Sequence, residues 1–311
     1  MRVFITGITG MVGSHLADYL LADHPDVEVH GLYRWRSPLD NIQQIKDRVT
    51  MHLGDLSDLG SLIRILDDVR PERIFHLAAQ SYVTTSFNAP ADTLMTNVIG
   101  TTNLLDAVRL CELDPRIHIC SSSEVYGQVL KEDLPISEDA PLRPASPYAV
   151  SKVGEDMIAY QYHLSYGLEI MRTRMFTHTG PRRGAVFAES AFARQIARIE
   201  AGLQDTPVRV GNLDSVRTYA DVRDAVRAYW LLLEKGQPGA VYNIGGNCEK
   251  TNLELVNMVC TIMDELHHST APYSSLITYV KDRPGHDQRY AINAGKIEQE
   301  LGYIPQESLK T

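Results

Sequence analysis

Tyr148 and Lys152 stand four residues apart in Ser146-Pro147-Tyr148-Ala149-Val150-Ser151-Lys152. Ser146 suits an N-cap and Pro147 the first helical turn, so the spacing predicts a helix carrying both side chains on one face. A phenol with a free pKa of ~10 is a poor base at neutrality, but an ammonium one turn away favours its phenolate. Such a phenolate can take a proton from an alcohol. A lone Tyr-x-x-x-Lys pair carries little weight, and what strengthens it lies upstream.

Thr6-Gly7-Ile8-Thr9-Gly10-Met11-Val12-Gly13 follows a β-rich run and opens a segment in which Leu16, Tyr19 and Leu20 recur at helical spacing. Glycines are needed where the chain turns sharply, the backbone approaches a pyrophosphate, and helix N–H groups face the anion. Gly7, Thr9, Gly10, Met11, Val12 and Gly13 are therefore expected to cradle a dinucleotide. An NAD site usually places an acidic residue about 20 positions on, to accept the ribose hydroxyls. Here that place reads Leu32-Tyr33-Arg34-Trp35-Arg36-Ser37. Arg34, Arg36 and Ser37 suit a 2′-phosphate, which guanidinium forks bind through charge-assisted hydrogen bonds. NADP is the expected cofactor, with ordinary solvated loop cations as the alternative reading of the two arginines.

Positioning these groups takes an alternation of strands and helices, and the chain has one. Strands are predicted at Val3 to Thr6, Val27 to Leu32, Arg48 to Leu53, Arg73 to Leu77 and Ile117 to Ser121, with helices from Ser14, near Leu59 to Asp68, and from Leu94 to Leu110. Parallel strands need crossovers, so this order indicates an α/β, doubly wound parallel sheet covered on both faces. Beyond Arg174 the rhythm loosens: Gly180 to Gly184, a strand at Val208 to Gly211, a helix at Val222 to Lys235, a strand at Val241 to Ile244 and a helix at Asn252 to Leu266. The expected division is a dinucleotide-binding domain over 1–175, with 221–244 returning to it, and a smaller C-terminal substrate-binding lobe from 176–220 and 245–311.

Composition narrows the classes. With 311 residues, 44% hydrophobic and 22% charged, the chain matches an average globular protein. No stretch approaches the ~20 apolar residues of a membrane span. A net charge of −9 argues against nucleic-acid binding by phosphate neutralisation. Cys111, Cys120, Cys248 and Cys260 form neither a disulfide framework nor a metal spacing and read as reduced core thiols. His286 and the pair His267-His268 have no partner spacing for a metal or a relay and read as loop or surface residues. No cleavable apolar signal precedes the first strand, so the cytoplasm is the expected location.

With these motifs in place, the chain resembles the extended short-chain dehydrogenase/reductase family, over nearly its whole length. The matching features are Thr6 to Gly13, Asp55-Leu56, His76-Leu77-Ala78-Ala79, Asn97, Ser121 to Gly127, and Tyr148 with Lys152. The resemblance implies a Rossmann domain, Asp55 and Leu56 at the adenine end, Leu77, Ala78 and Ala79 as a wall of the cofactor groove, and His178 near the cofactor. Tyr148 and Lys152 would be catalytic and also touch the cofactor, and Ser122 would hold the substrate oxygen beside Tyr148. The two helices at Leu94 to Leu110 and from Tyr148 commonly form a dimer interface in this family, which implies a homodimer or dimer of dimers; burial in the core is the alternative.

Within that family the chain is similar to nucleotide-sugar enzymes, and most to GDP-mannose 4,6-dehydratases and GDP-4-keto-6-deoxymannose reductases. The carrying stretches are Phe176 to Gly184, Val210 to Arg217 and Asp221 to Asp224. The resemblance implies Ser81, Ser123, Thr177, Asn212, Arg217 and Arg283 as substrate-binding residues, the two arginines on the pyrophosphate. Glu124 discriminates between reactions. A 4,6-dehydratase oxidises C4, removes the acidified C5 proton, expels the C6 hydroxyl as water and returns the hydride to C6, so it needs an acid/base besides Tyr148. The resemblance places Glu124 there, with loop capping as the bland alternative.

The expected activity is an NADP-dependent 4,6-dehydratase converting GDP-mannose to GDP-4-keto-6-deoxymannose. The rivals are a 4-keto-6-deoxy-sugar reductase or a nucleotide-sugar 4-epimerase, a dTDP-glucose 4,6-dehydratase, and a non-catalytic NADP-binding protein. Three departures bear on this. Thr177 stands where such enzymes usually have asparagine, and a hydroxyl cannot supply both an amide donor and an acceptor. The segment Asp282 to Tyr290 looks more like dTDP-glucose 4,6-dehydratases, though those usually have aspartate where this chain has Ser123. The chain stops at Leu309-Lys310-Thr311, where relatives generally continue into a last helix, so a tail either missing from this sequence or shortened is expected.

Overall fold

The computed structural model describes residues 1–246, 248–267, 271–280 and 289–308. Its first part alternates strands and helices: β1 (Arg2–Thr6), α1 (Met11–Asp23), β2 (Glu28–Tyr33), β3 (Thr50–Leu53), α2 (Leu59–Val69), β4 (Arg73–His76), α3 (Val83–Asn88), α4 (Pro90–Leu94), α5 (Gly100–Leu110), β5 (Arg116–Ser122), α6 (Pro147–Tyr166) and β6 (Ile170–Met175). The second part holds β7 (His178–Thr179), α7 (Ala188–Glu200), β8 (Val208–Val210), β9 (Val216–Asp221), α8 (Val222–Lys235), β10 (Val241–Ile244), β11 (Cys248–Thr251), α9 (Asn252–Leu266), β12 (Ile277–Tyr279), β13 (Arg289–Tyr290) and α10 (Gly295–Leu301).

Seven parallel strands form one sheet in the order β10-β6-β5-β4-β1-β2-β3. The chain runs outward one way from β1 to β3, then crosses back to build β4, β5, β6 and β10 on the other side. That reversal opens a crevice beyond the carboxyl ends of β1 and β4, the usual ligand position in a doubly wound sheet. Strands such as Val3-Phe4-Ile5 and Ile117 to Ile119 are buried on both faces, which explains their continuous apolar runs. One face is covered by α1, α8 and α10 through Leu16, Leu20, Tyr229, Leu233 and Ile297. The other is covered by α2, α5 and α6 through Leu62, Leu66, Leu104, Val108 and Tyr162.

A smaller lobe has its own core of Phe192, Ile196, Val208, Val210, Tyr219, Leu255 and Val256. There β9 pairs with β11 and β13, and β8 with β12. The strand β10 and the helix α8 belong to the large sheet's layers. Residues 295–303 do too, since Ile297, Leu301 and Tyr303 pack into the α1 and α8 face. This differs from a lobe running unbroken over 245–311: the last helix is short, and its Ile297 and Leu301, with Tyr303 just beyond it, have a ready partner in the α1 and α8 layer.

Two predicted elements change shape. The Leu94 to Leu110 helix begins at Pro90 and is interrupted by a π-helical turn at Met95–Ile99, invisible to a 3.6-residue period. The first helix starts at Met11 rather than Ser14, directly at Gly10. Of the cysteines only Cys260 is buried; Cys111, Cys120 and Cys248 are half-buried, and all four are free thiols. No helix among the described residues is long and apolar enough to cross a membrane.

Candidate active site

The crevice floor is built by glycines. Gly7 has φ +75°, and a Cβ there would lie 2.8 Å from the backbone nitrogen of Ala78 at the end of β4. A Cβ on Gly13 would run into the carbonyl oxygen of Gly7. The loop is thus pressed against both β4 and its own helix. Helix α1 starts with no side-chain cap and no acidic residue in its first turn, so its leading N–H groups and dipole are left for an anion. These features fit the pyrophosphate of a dinucleotide on Gly7, Thr9, Gly10, Met11, Val12 and Gly13.

Around the cradle stand the other expected cofactor residues. Leu32 of β2 lies opposite Thr6 of β1, which brings Arg34, Arg36 and Ser37 beside the loop. Arg34 and Arg36 are exposed, and Arg36 stacks on Trp35 at 4.3 Å. Ser37 Oγ accepts from the Arg34 N–H at 3.1 Å and the Ser37 N–H donates to the Arg34 carbonyl, closing a tight turn that presents both cations. Asn41, absent from the sequence reading, donates from Nδ2 to the Thr9 carbonyl at 3.0 Å and fastens that segment to the phosphate loop. Asp55 folds back on Ser57, while the Leu56 carbonyl accepts from Asn103 at 2.7 Å.

Leu77, Ala78 and Ala79 follow β4 and are held by Thr6, whose Oγ1 accepts from the N–H groups of Leu77 and Ala78 at 3.1 and 3.2 Å. Thr6 in turn donates to Nδ1 of His76 at 2.8 Å. His76 Nε2 then donates to Thr101, which donates to the Asn97 carbonyl. Burial pushes the His76 pKa down to about 3, with Lys152 adding to the shift, so the ring is neutral and the chain of donors has one direction.

Tyr148 and Lys152 are positioned as their spacing predicts. Ser146 Oγ caps α6 by accepting from the Ala149 N–H at 3.0 Å, with Pro147 in the first turn. Tyr148 and Lys152 are both nearly buried, 8% and 4% exposed. Burial raises the Tyr148 pKa, against the opposing pull of the Lys152 charge and a hydrogen bond from Ser122; the Glu124 charge raises it further. Ser122 and Glu124 thus both lie close enough to Tyr148 to act on its phenol. Glu124 sits on a 3-10 turn (Ser123–Tyr126) whose first N–H groups include its own, donating to Ser122 Oγ at 3.2 Å. Tyr126 anchors that turn, donating to Asn243 Oδ1 at 2.7 Å and accepting from Arg174 at 3.1 Å. The arrangement can move a proton at an alcohol through Tyr148 and a second one through Glu124.

The sequence profile of the GDP-mannose 4,6 dehydratase family matches residues 4–311. The chain belongs to the GDP-mannose 4,6-dehydratase family, a nucleotide-sugar branch of the extended short-chain dehydrogenases/reductases. It is 39% identical to a GDP-mannose 4,6-dehydratase of Yersinia enterocolitica, over 98% of this chain and 90% of the relative. Among solved structures it is similar to DesIV, a dTDP-glucose 4,6-dehydratase of Streptomyces venezuelae with NAD and TYD bound, at TM-score 0.89 and 34% identity over 99% of this chain and 93% of that one. It is also similar to RMD of Pseudomonas aeruginosa complexed with NADPH, at TM-score 0.81 and 31% identity over 99% and 95%. The protein is thus an enzyme, a nucleotide-sugar 4,6-dehydratase of the short-chain dehydrogenase/reductase type, and its cofactor is a nicotinamide dinucleotide.

The dehydratase's remaining expected residues are more dispersed. His178 lies where β7 pairs with β9; its Nδ1 donates to the Phe176 carbonyl at 3.2 Å, and burial lowers its pKa to about 4. Thr177 is half-buried, and its carbonyl accepts from the Ala220 N–H at 2.9 Å. Ser123 is buried and Ser81 exposed. Arg217 is half-buried on β9 opposite Lys250 of β11, and Asn212 is exposed in the preceding turn, where its Oδ1 accepts from Asp214. Arg283 and His286, with the Asp282 to Gln288 stretch, lie outside the described residues, as does His268. His267 is a surface residue, 3.3 Å from Glu200.

Besides Asn41, two more contributors lie beyond the sequence reading. Asn97, matched there only as a family feature, sits buried in the π-helical turn, donating to Ser151 Oγ at 2.8 Å and to the Gln80 carbonyl and accepting from the Gln80 N–H. Ser151 donates to the Tyr148 carbonyl at 2.6 Å, so Asn97 ties the groove wall to α6. The other is Glu155, whose signal was the i, i+3 spacing from Lys152.

Proposed function

We propose that this dehydratase carries NADP and converts GDP-mannose to GDP-4-keto-6-deoxymannose, with Tyr148, Lys152, Ser122 and Glu124 as its catalytic residues. The observation that carries the reading is the convergence of Ser122 and Glu124 on Tyr148, which supplies two acid/base groups where a reductase or epimerase needs one. A dinucleotide held by Gly7, Thr9, Gly10, Met11, Val12 and Gly13 would supply the hydride chemistry, oxidation at C4 and reduction at C6. Ser122 holds the C4 oxygen, and Tyr148 Oη accepts its proton as the ketone forms. Lys152 favours the phenolate that does this. Glu124 then removes the C5 proton, acidified by the ketone, and gives a proton to the C6 hydroxyl as it leaves as water; C5 takes up a proton again when C6 is reduced, and Tyr148 gives up the one it accepted. The sugar loses one water with no net redox change.

Arg34 and Arg36, in a position that usually carries an acidic residue for NAD, support NADP. Ser81, Ser123, Thr177, Asn212, Arg217 and Arg283 are the proposed substrate contacts. A second reading, dTDP-glucose as the substrate, is favoured by the likeness to DesIV at TM-score 0.89. Incubation with each sugar nucleotide and analysis for the 4-keto-6-deoxy product decides between them. Exposed Leu94, Met95, Ile99, Val150, Met157 and Tyr160 on the α4–α5 and α6 surfaces support a homodimer, which sedimentation equilibrium would register as twice the chain mass.

A further inference from the structure

Lys152 does not face its tyrosine alone. Its Nζ donates to the Cys120 carbonyl of β5 at 2.8 Å and to Oε2 of Glu155 at 2.8 Å. The pair is sealed, with side chains 5% and 1% exposed. The other carboxylate oxygen of Glu155, Oε1, is buried with no hydrogen-bond partner among the described residues. A buried ion pair with an unsatisfied oxygen is a poor source of stability, because desolvating both charges consumes most of their attraction. Its placement behind the catalytic ammonium calls for another account.

The groups facing this pair come from every neighbouring element. From α6 come Tyr148 and Asp156, the latter taken up by Arg172 and Arg174 of β6 at 2.6 and 2.8 Å. From β5 come the Cys120 thiol, 3.4 Å from Tyr229 of α8, and His118; from β4 comes His76. Burial holds both histidines neutral, their pKa values lowered to about 3. Glu124 acts on Tyr148 from the turn after β5. Within this set Glu155 is the carboxylate in direct contact with Lys152.

We propose that Glu155 is a positioning residue: it orients Lys152 and offsets its charge, so that the Tyr148 phenol keeps its proton to a higher pH than it would beside an uncompensated ammonium. The inference rests on the reading of Tyr148 as the acid/base group. Burial drives the Glu155 carboxyl up to about 7 against the pull of Lys152, whose own pKa is raised by Glu155 and Tyr148 in spite of burial. The counter-charge is therefore coupled to the ammonium through their direct contact.

The test is the pH dependence of kcat/KM for the full-length enzyme, with GDP-mannose and dTDP-glucose as probes, in Glu155→Gln, Glu155→Ala and Glu155→Asp. Gln and Ala both remove the charge while differing in shape. Each that melts cooperatively should show its acidic limb about one pH unit lower than the native enzyme, the size expected for one unit charge acting across a buried site. Asp restores the charge and should return the limb to within a third of a unit of native. A lower plateau rate with an unmoved limb in Gln or Ala would mean a structural role only and overturn the proposal. Native enzyme that turns over neither sugar nucleotide at any pH would overturn the underlying reading, and the inference with it.

Discussion

Thr6 at the end of β1 and His76 at the end of β4 share a 2.8 Å hydrogen bond beneath the crevice. Through it the groove wall, the switch point and α5 are joined by one neutral imidazole. Parallel strands bring the two together, since Thr6 and His76 are register partners.

His76 and His118 make folding acid-sensitive. Both are pushed down to about 3 by burial, so the unfolded chain takes up protons first as pH falls below ~6.5. Their stabilisation is complete above that value and is lost progressively toward pH 3, by about 1.4 kcal/mol per pH unit for each ring. Urea melts at pH 7.5, 6 and 5 should show His118→Gln with a shallower loss than the native chain, by about one proton's worth of slope. Equal slopes would place the acid sensitivity elsewhere.

Removing the phenol separates chemistry from binding. Tyr148→Phe should lower kcat by about 10³-fold while leaving dinucleotide affinity within a few-fold. Stopped assays and fluorescence titration of the reduced dinucleotide measure the two. Retained turnover would remove Tyr148 from the reaction.

Glu124→Gln tests the second proton. The variant should lose about 10²- to 10³-fold in dehydration and in incorporation of solvent deuterium at C5, while C4 oxidation persists as a transient 340 nm signal. Undiminished deuterium at C5 would assign that proton to another group.

Arg34 reads the cofactor's 2′-phosphate in the proposed account. A charge-assisted hydrogen bond contributes roughly 1.5–3 kcal/mol, so Arg34→Ala should weaken NADPH by about 10- to 100-fold and NADH hardly at all. Equal losses for both would make the arginine a general loop cation.

Much of this is legible in the sequence. The glycine spacing of Gly7 to Gly13 and the Ser146-Pro147 helix start are local rules, and local rules survive folding. The helix bounds at Val222–Lys235 and Asn252–Leu266 appear as their apolar periods predict. What stayed hidden depends on neighbours distant in sequence. The hold of Asn41 on Thr9 crosses 32 positions, and the bridge from Asn97 to Ser151 crosses 54. The π-helical turn that aims Asn97 breaks the period by which helices are recognised. Short strands such as β7 and β13, two residues each, carry no alternation to read. Residues 295–303 returned to the sheet because a tertiary partner was available for Ile297 and Leu301, which no window of sequence displays.

The account turns on hydrogen leaving C4 and coming back to the same sugar at C6. GDP-mannose and dTDP-glucose deuterated at C4, each incubated with the enzyme and catalytic dinucleotide, provide the direct measurement by NMR of the product. The predicted result is a 4-keto-6-deoxy sugar with the label at C6, one solvent hydrogen at C5, and no build-up of reduced dinucleotide. Label retained at C4, or released stoichiometrically on the dinucleotide, would contradict it.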